Sequence, residues 1–137
     1  MTKKFSAQCA CGKIKFEVET DLSLVANCHC RDCKRASGGE MATVFGVPAA
    51  GFTLLSGTPK AFTYTADSGK KLDRNFCPDC GARLFTSNLE GMPGLLLVAI
   101  GSLDHPEGIA PALELFTQRR LDWMKPLDVP QFAGMPG

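Results

Sequence analysis

Three thiols fall within six residues in the stretch Cys28-His29-Cys30-Arg31-Asp32-Cys33. Two more cysteine pairs flank it along the chain, Cys9-Ala10-Cys11 upstream and Cys77-Pro78-Asp79-Cys80 downstream, so that three clusters contain all seven cysteines. Packing alone seldom demands such a density of thiols. The sequence therefore predicts a fold organised by loops that bring thiolates together around metal ions.

The alternative to metal binding is a secreted domain with a disulfide framework. The number of cysteines is odd, and the charged N-terminus continues into no apolar run of signal-peptide length. No segment approaches the roughly 20 apolar residues that span a bilayer. We therefore expect a cytoplasmic protein with metal-bound thiols and no membrane contact.

Composition excludes several classes of protein. Among 137 residues, 45% are hydrophobic and 21% are charged, as in an ordinary soluble globular protein. The net charge of +1 opposes nucleic-acid binding, which requires a strongly basic surface. The length suits a single domain over residues 1–137, with its core at about 5–132 and an extended C-terminal tail.

The chain reads as a series of short strands. Ile14, Phe16 and Val18 alternate with charged residues, which indicates a strand with one buried face. Similar runs between turn-forming clusters predict strands over 41–47, 52–55, 61–65, 71–76, 82–87, 95–100 and 112–117. A helical turn is expected only at 34–37, so the predicted fold class is mainly β with little helix. Leu115, Phe116 and Trp123 are expected in the core.

The downstream pair has the spacing of a zinc-binding turn. Two sulfurs in CxxC can chelate one ion at about 2.3 Å each, and Gly81 permits the positive φ that such a turn needs. Cys9 and Cys11 are the natural complement, because residues i and i+2 of an extended segment point to the same side. Four thiolates make a closed site, and closed zinc sites are structural.

The remaining three cysteines, Cys28, Cys30 and Cys33, leave one coordination position open. Three protein ligands with one open position are typical of a catalytic zinc, so two zinc ions per chain are expected. A second pairing remains open, in which Cys30 and Cys33 join Cys77 and Cys80 as in a zinc ribbon. Its intervening loop is longer than ribbon spacing allows.

Polar residues around the central cluster are candidates for binding substrate. His29 stands between two ligands, so its ring is expected to point away from the metal, as a group behind the ligands or facing the substrate. Arg31 and Arg35 add positive charge that could bind a substrate carboxylate. Arg119 and Arg120 are further candidates for the same role.

Five blocks of residues, in order, resemble one known family. They are Cys9-x-Cys11-Gly12, Cys28-His29-Cys30-x-x-Cys33, Phe76-Cys77-x-x-Cys80-Gly81, Gly101-Ser102-Leu103-Asp104 and Arg120-x-x-Trp123. This pattern is similar to the glutathione-dependent formaldehyde-activating enzyme family, whose domain is shared with centromere protein V. The resemblance implies a β-tent fold of antiparallel sheets with zinc-binding loops. It also implies a structural zinc on Cys9, Cys11, Cys77 and Cys80 and a catalytic zinc on Cys28, Cys30 and Cys33.

The resemblance further implies a carbon–sulfur lyase related to S-(hydroxymethyl)glutathione synthase. Its partners would be a small thiol such as glutathione and formaldehyde or another small aldehyde. A zinc held by three thiolates suits this chemistry, because it can bind a thiol as thiolate or polarise a carbonyl. The alternative is a non-catalytic β-tent zinc module that binds a protein partner, which would not need an open coordination position.

Overall fold

Two β-sheets form the framework of the computed structural model, which describes residues 1–136. The strands are β1 (Lys3–Gln8), β2 (Lys15–Thr20), β3 (Val25–Cys28), β4 (Ala42–Pro48), β5 (Phe52–Ser56), β6 (Lys60–Thr65), β7 (Lys71–Phe76), β8 (Arg83–Ser87), β9 (Leu95–Ala99) and β10 (Leu113–Leu115). The α-helix α1 spans Arg31–Ser37, and short 3-10 turns cover Ala49–Gly51, Ile100–Ser102 and Thr117–Arg119. The predicted mainly β class with little helix is confirmed.

The smaller sheet has the strand order β1-β2-β5, and the larger has the order β10-β3-β4-β9-β8-β7-β6. Every strand pair is antiparallel except β10 with β3, whose strands run in parallel. Within residues 1–136, no helix is both long and apolar enough to cross a bilayer.

The predicted strands are present, with bounds that differ by one or two residues. In β2 the buried positions alternate as the sequence pattern indicates, with Phe16 and Val18 fully buried. Two strands were not predicted. β1 pairs with β2 despite its charged start, and β3, which lies between β4 and β10 in the larger sheet, is buried at all four positions.

The hydrophobic core lies where the two sheets pack together. Phe16 of the smaller sheet packs against Phe85 of the larger one, with ring centroids 5.6 Å apart. Phe52 stacks on Phe16 at 5.2 Å and completes this aromatic centre. Cys9 and Cys77 belong to the same buried cluster, so two of the candidate metal ligands are anchored in the core.

One expectation about the C-terminal region requires correction. Trp123 is 71% exposed, so its predicted place in the core is wrong. The C-terminal tail is attached to the larger sheet, because the backbone of Glu114 in β10 is hydrogen-bonded to Pro130 and Phe132. These bonds add a short parallel bridge between Glu114 and Gln131 at the edge of the larger sheet.

Candidate metal centres and the adjoining cavity

Two loops bring four cysteines together at one end of the core. Cys9 directly follows β1 and Cys77 directly follows β7, so each pair begins where a strand ends. A glycine with positive φ follows each pair, Gly12 at 79° and Gly81 at 77°, and turns the chain back into the next strand. The ligand atoms of the group all lie within 4.8 Å of one another; its members are Cys9, Cys11, Cys77 and Cys80.

The geometry of this four-cysteine cluster fits a tetrahedral metal site. Zinc–sulfur bonds of about 2.3 Å at tetrahedral angles separate sulfurs by about 3.8 Å. The Sγ atom of Cys11 lies 3.5 Å from that of Cys9 and 3.7 Å from that of Cys77. The backbone N–H of Ile14 donates to the Cys9 sulfur at 3.3 Å, and such bonds stabilise a thiolate. The cluster could therefore hold a metal ion with no open position.

The other three cysteines form a separate group around the start of α1. Cys28 ends β3, Cys30 is the N-cap of α1, and Cys33 lies in its first turn. The sulfurs of Cys28 and Cys30 are 3.4 Å apart, and the Cys33 N–H donates to the Cys30 sulfur at 3.3 Å. The ribbon-like pairing of Cys30 and Cys33 with Cys77 and Cys80 is thereby excluded, since those four thiols do not share a cluster.

In the three-cysteine cluster, hydrogen bonds between the thiols stabilise one of them, Cys30, as the thiolate. Hydrogen bonds from Cys28 and Cys33 lower the pKa of the Cys30 thiol far below its ordinary value. The bond to Cys30 raises the pKa of Cys28, because that thiol acts as the donor. Three thiols alone would not all ionise at this spacing, and a divalent cation offsets their repulsion. The group could hold a metal ion, and within residues 1–136 no fourth ligand atom joins it.

His29 lies behind this cluster. Its side chain is 0% exposed, and its Nε2 atom lies 2.7 Å from Oε1 of Glu114. The ring therefore points away from the three sulfurs, as expected, but it does not line the cavity beside them. Of the two locations expected for His29, the structure places the ring behind the ligands and not on the wall of the cavity.

Glu114 organises a buried polar network that the sequence did not indicate. The carboxylate accepts hydrogen bonds from Asn27, from the Leu127 N–H and from Gln131, besides its contact with His29. Arg120 Nη2 lies 3.2 Å from Glu114 Oε2. Arg120 is thus committed to a carboxylate of the protein itself, and its expected role in binding substrate is not supported by its position.

A cavity of about 830 Å³ opens beside the three-cysteine cluster, and Cys28, Cys30 and Cys33 form part of its wall. The predicted substrate-binding residues Arg31 and Arg35 also line it, together with Arg119. Three further basic residues of the wall, Lys70, Lys71 and Arg74, were not predicted from the sequence, and neither was the neighbouring Tyr64. Lys70-Lys71 is visible as a local basic pair, but no spacing pattern connects it with cysteines some 40 residues away.

Comparisons with known proteins agree with the fold and the cysteine pattern. The family described as glutathione-dependent formaldehyde-activating enzyme matches residues 4–119. No curated protein matches the sequence. A crystal structure of a Rhodobacter sphaeroides protein is similar at a TM-score of 0.58 and 21% sequence identity, covering 77% of this chain and 91% of that one. The likeness to that structure concerns the fold alone. The family match covers most of the chain, and the chain belongs to the glutathione-dependent formaldehyde-activating enzyme family.

Proposed function

We propose that the protein is a zinc-dependent carbon–sulfur lyase, which joins a small thiol to formaldehyde or another small aldehyde. Glutathione or a similar thiol is the substrate that family membership favours. One observation carries the proposal: three thiols, without a fourth protein ligand within residues 1–136, form part of the wall of a cavity large enough for a small peptide.

Both cysteine clusters are proposed as zinc sites. Thiolates are soft ligands, and a group made only of thiolates favours zinc over harder divalent cations. Cys9, Cys11, Cys77 and Cys80 would hold a structural zinc that joins the β1–β2 and β7–β8 loops. Cys28, Cys30 and Cys33 would hold the catalytic zinc. A reducing cytoplasm, where we place the protein, keeps thiols free for this role.

The cavity residues supply binding and orientation. When bound at the three cysteines, zinc supplies a Lewis acid that favours a thiol in its thiolate form or polarises a carbonyl oxygen. In the reaction the sulfur forms a bond to the carbonyl carbon, and the π electron pair of the carbonyl moves to its oxygen. The proton of the thiol is released to solvent, and the oxygen takes up a proton from solvent. Arg31 and Arg35 would attract the carboxylates of the thiol, and the cavity wall would hold the aldehyde against its sulfur.

A non-catalytic zinc module that binds a protein partner is the competing proposal. Such a module gains nothing from an incomplete ligand set beside a cavity, because a structural zinc is best served by a closed site. The cavity at the three-cysteine cluster therefore favours the enzyme.

The test is exchange NMR of glutathione and formaldehyde with the zinc-loaded protein, whose metal content is counted by native mass spectrometry. The adduct also forms spontaneously, so the measured quantity is the acceleration above that background. We expect acceleration by the wild type and none by Cys30→Ser. A wild type that binds two zinc ions but accelerates no pair in a panel of thiols and aldehydes would support the module instead.

A further inference from the structure

The cavity beside the three cysteines is more basic than the protein as a whole. Six basic side chains line it against two acidic ones, whereas the whole chain carries a net charge of only +1. The basic residues come from distant parts of the chain, namely α1, the end of the β6–β7 turn, β7 and the turn after β10. Such a concentration of one sign of charge indicates that the occupant is anionic.

Arg74 differs from the other basic residues of the wall in being held in place. Arg31, Arg35 and Arg119 are exposed, and such long side chains lose conformational entropy when they bind a ligand. Arg74 is half-buried on β7, and its guanidinium carbon lies 5.4 Å from the centroid of the Tyr64 ring. This cation–π contact restrains the planar guanidinium before any ligand arrives.

The charge of Arg74 has no partner in the described chain. Within residues 1–136, ion pairs involve Lys13, His29 and Arg120, and none involves Arg74. Asp32, an acidic residue of this wall, lies by the hydroxyl of Tyr64 and raises the pKa of that phenol to about 12. The guanidinium is therefore free to bind an external anion, and partial burial strengthens such a contact.

Arg74 also lies near the cysteines. Arg74 and Cys33 line the same cavity. A thiol whose sulfur sits at the three-cysteine cluster would thus present groups a few bonds away to the guanidinium. A carboxylate matches the fork of an arginine, because both are planar and can form two parallel hydrogen bonds.

We propose that Arg74, held by Tyr64, is a specificity-determining residue that binds a carboxylate of the thiol substrate. The proposal rests on the proposed function and adds a requirement to it: the thiol carries a carboxylate a short distance from its sulfur. Arg31, Arg35 and Arg119 would contribute attraction at longer range.

The test measures binding without turnover. S-methylglutathione, whose capped sulfur cannot add to an aldehyde, is titrated into zinc-loaded wild type and Arg74→Gln by calorimetry, and its diethyl ester serves as the probe that has the same ammonium group but no carboxylate. We expect Arg74→Gln to bind the acid about tenfold or more weakly and the ester equally well, with Arg74→Lys in between. Lys60→Gln is the matched control, since Lys60 is exposed on the adjacent strand and does not line the cavity.

Equal losses for the acid and the ester, an unchanged affinity in Arg74→Gln, or no binding of the acid by the wild type would each overturn the proposal. If Arg74→Gln fails to fold, Tyr64→Leu replaces it, because losing the aromatic face should weaken acid binding alone. Measurements of turnover distinguish a failure of this inference from a failure of the proposed function. If Arg74→Gln turns over glutathione with an unchanged KM, this inference is wrong and the proposed lyase activity stands. If the wild type binds the acid through Arg74 but shows no turnover, the inference stands and the proposed activity is wrong.

Discussion

The imidazole Nε2 of His29 lies 2.7 Å from the carboxylate Oε1 of Glu114, and both side chains are buried. His29 stands between two cysteines of the three-cysteine cluster, and Glu114 belongs to the edge strand β10. Through Gln131 the same carboxylate reaches the C-terminal tail. One buried carboxylate thus connects the back of the candidate catalytic site with the edge of the larger sheet and the tail.

Removing the charge of Glu114 is expected to destabilise the fold. In Glu114→Gln the Arg120 guanidinium would lose its carboxylate, and breaking a buried pair typically costs about 3 to 5 kcal/mol. Urea denaturation of the zinc-loaded protein at neutral pH measures the change in the free energy of unfolding. The control is Glu107→Gln, an exposed carboxylate, for which we expect a change within about 0.5 kcal/mol. Similar losses in both variants would contradict the buried-network interpretation.

The stabilisation by Glu114 should disappear in acid. Burial alone would raise the pKa of this carboxyl, but hydrogen bonds led by that from His29 outweigh it and lower the pKa to about 2, from an ordinary value of 4.5. Both the folded and the unfolded carboxyl are ionised above the ordinary pKa, so the contribution is complete there. As the pH falls from 4.5 towards 2, the unfolded chain binds the proton first and the contribution is lost.

The measurement is the difference in unfolding free energy between wild type and Glu114→Gln at a series of pH values. Loss of metal in acid affects both proteins and largely cancels in that difference. We expect a constant difference between about pH 5 and 8 and a steady decrease below 4.5. A difference that is unchanged at pH 3 would show that the carboxyl is not held ionised by its partners.

The parts of the structure that the sequence could predict are those encoded within a few residues. The alternation from Ile14 to Val18 predicts β2 because a strand buries every second side chain, and CxxC with glycine predicts a metal turn. The parallel pairing of β10 with β3, which places Glu114 beside His29, depends on residues more than 80 positions apart. Such pairings leave no periodicity to detect.

The basic residues that line the cavity could be predicted from the sequence only in part, for the same reason. Arg31 and Arg35 could be predicted because they are neighbours of the cysteines in the chain, whereas Arg74 reaches the cavity only through the position of β7 in the larger sheet. Trp123 illustrates the opposite error. Hydrophobicity predicts burial, but the exposed turn after β10 leaves the indole 71% accessible.

Cys77→Ser is expected to abolish the folded state. Cys77 is 0% exposed within the hydrophobic core, and zinc binding to a structural site of thiolates contributes roughly 10 to 16 kcal/mol in small peptides. A contribution of this size is comparable to the whole stability of a small domain, which is about 5 to 15 kcal/mol. Circular dichroism should show no cooperative melting. A variant that melts like wild type and still binds two zinc ions would refute the structural role of the four-cysteine cluster.

Every cysteine of the chain belongs to one of the two clusters. Cys30→Ser is the substitution in the three-cysteine cluster that corresponds to Cys77→Ser in the four-cysteine cluster. Cys30 caps α1 by accepting the Cys33 N–H, and serine is a preferred N-cap residue, so the helix should persist. We expect a melting temperature close to that of wild type, one zinc instead of two by native mass spectrometry, and no acceleration of adduct formation. If the variant lost one zinc but kept its turnover, the three-cysteine cluster would have no role in the reaction.

Arg83 is expected to strengthen the binding of metal at the three-cysteine cluster. Burial lowers the pKa of its guanidinium, and the charge of Cys33 opposes this effect, which places the arginine within electrostatic reach of the cluster. Its Nε atom is buried without a hydrogen-bond partner in residues 1–136. Three thiolates exceed the charge of a divalent ion by one, so a nearby guanidinium offsets the surplus. Arg83→Gln should therefore weaken metal binding at this cluster by about tenfold.

Competition with a chromophoric chelator resolves the two zinc ions by affinity and tests this expectation. Arg83→Lys keeps the charge and should retain most of the affinity, while the zinc of the four-cysteine cluster should be unaffected in both variants. Equal weakening by Gln and Lys would mean that Arg83 acts through packing and not through its charge. Weakening of both zinc ions would mean that the substitution loosens the β7–β8 hairpin, since Arg83 begins β8 three residues after Cys80.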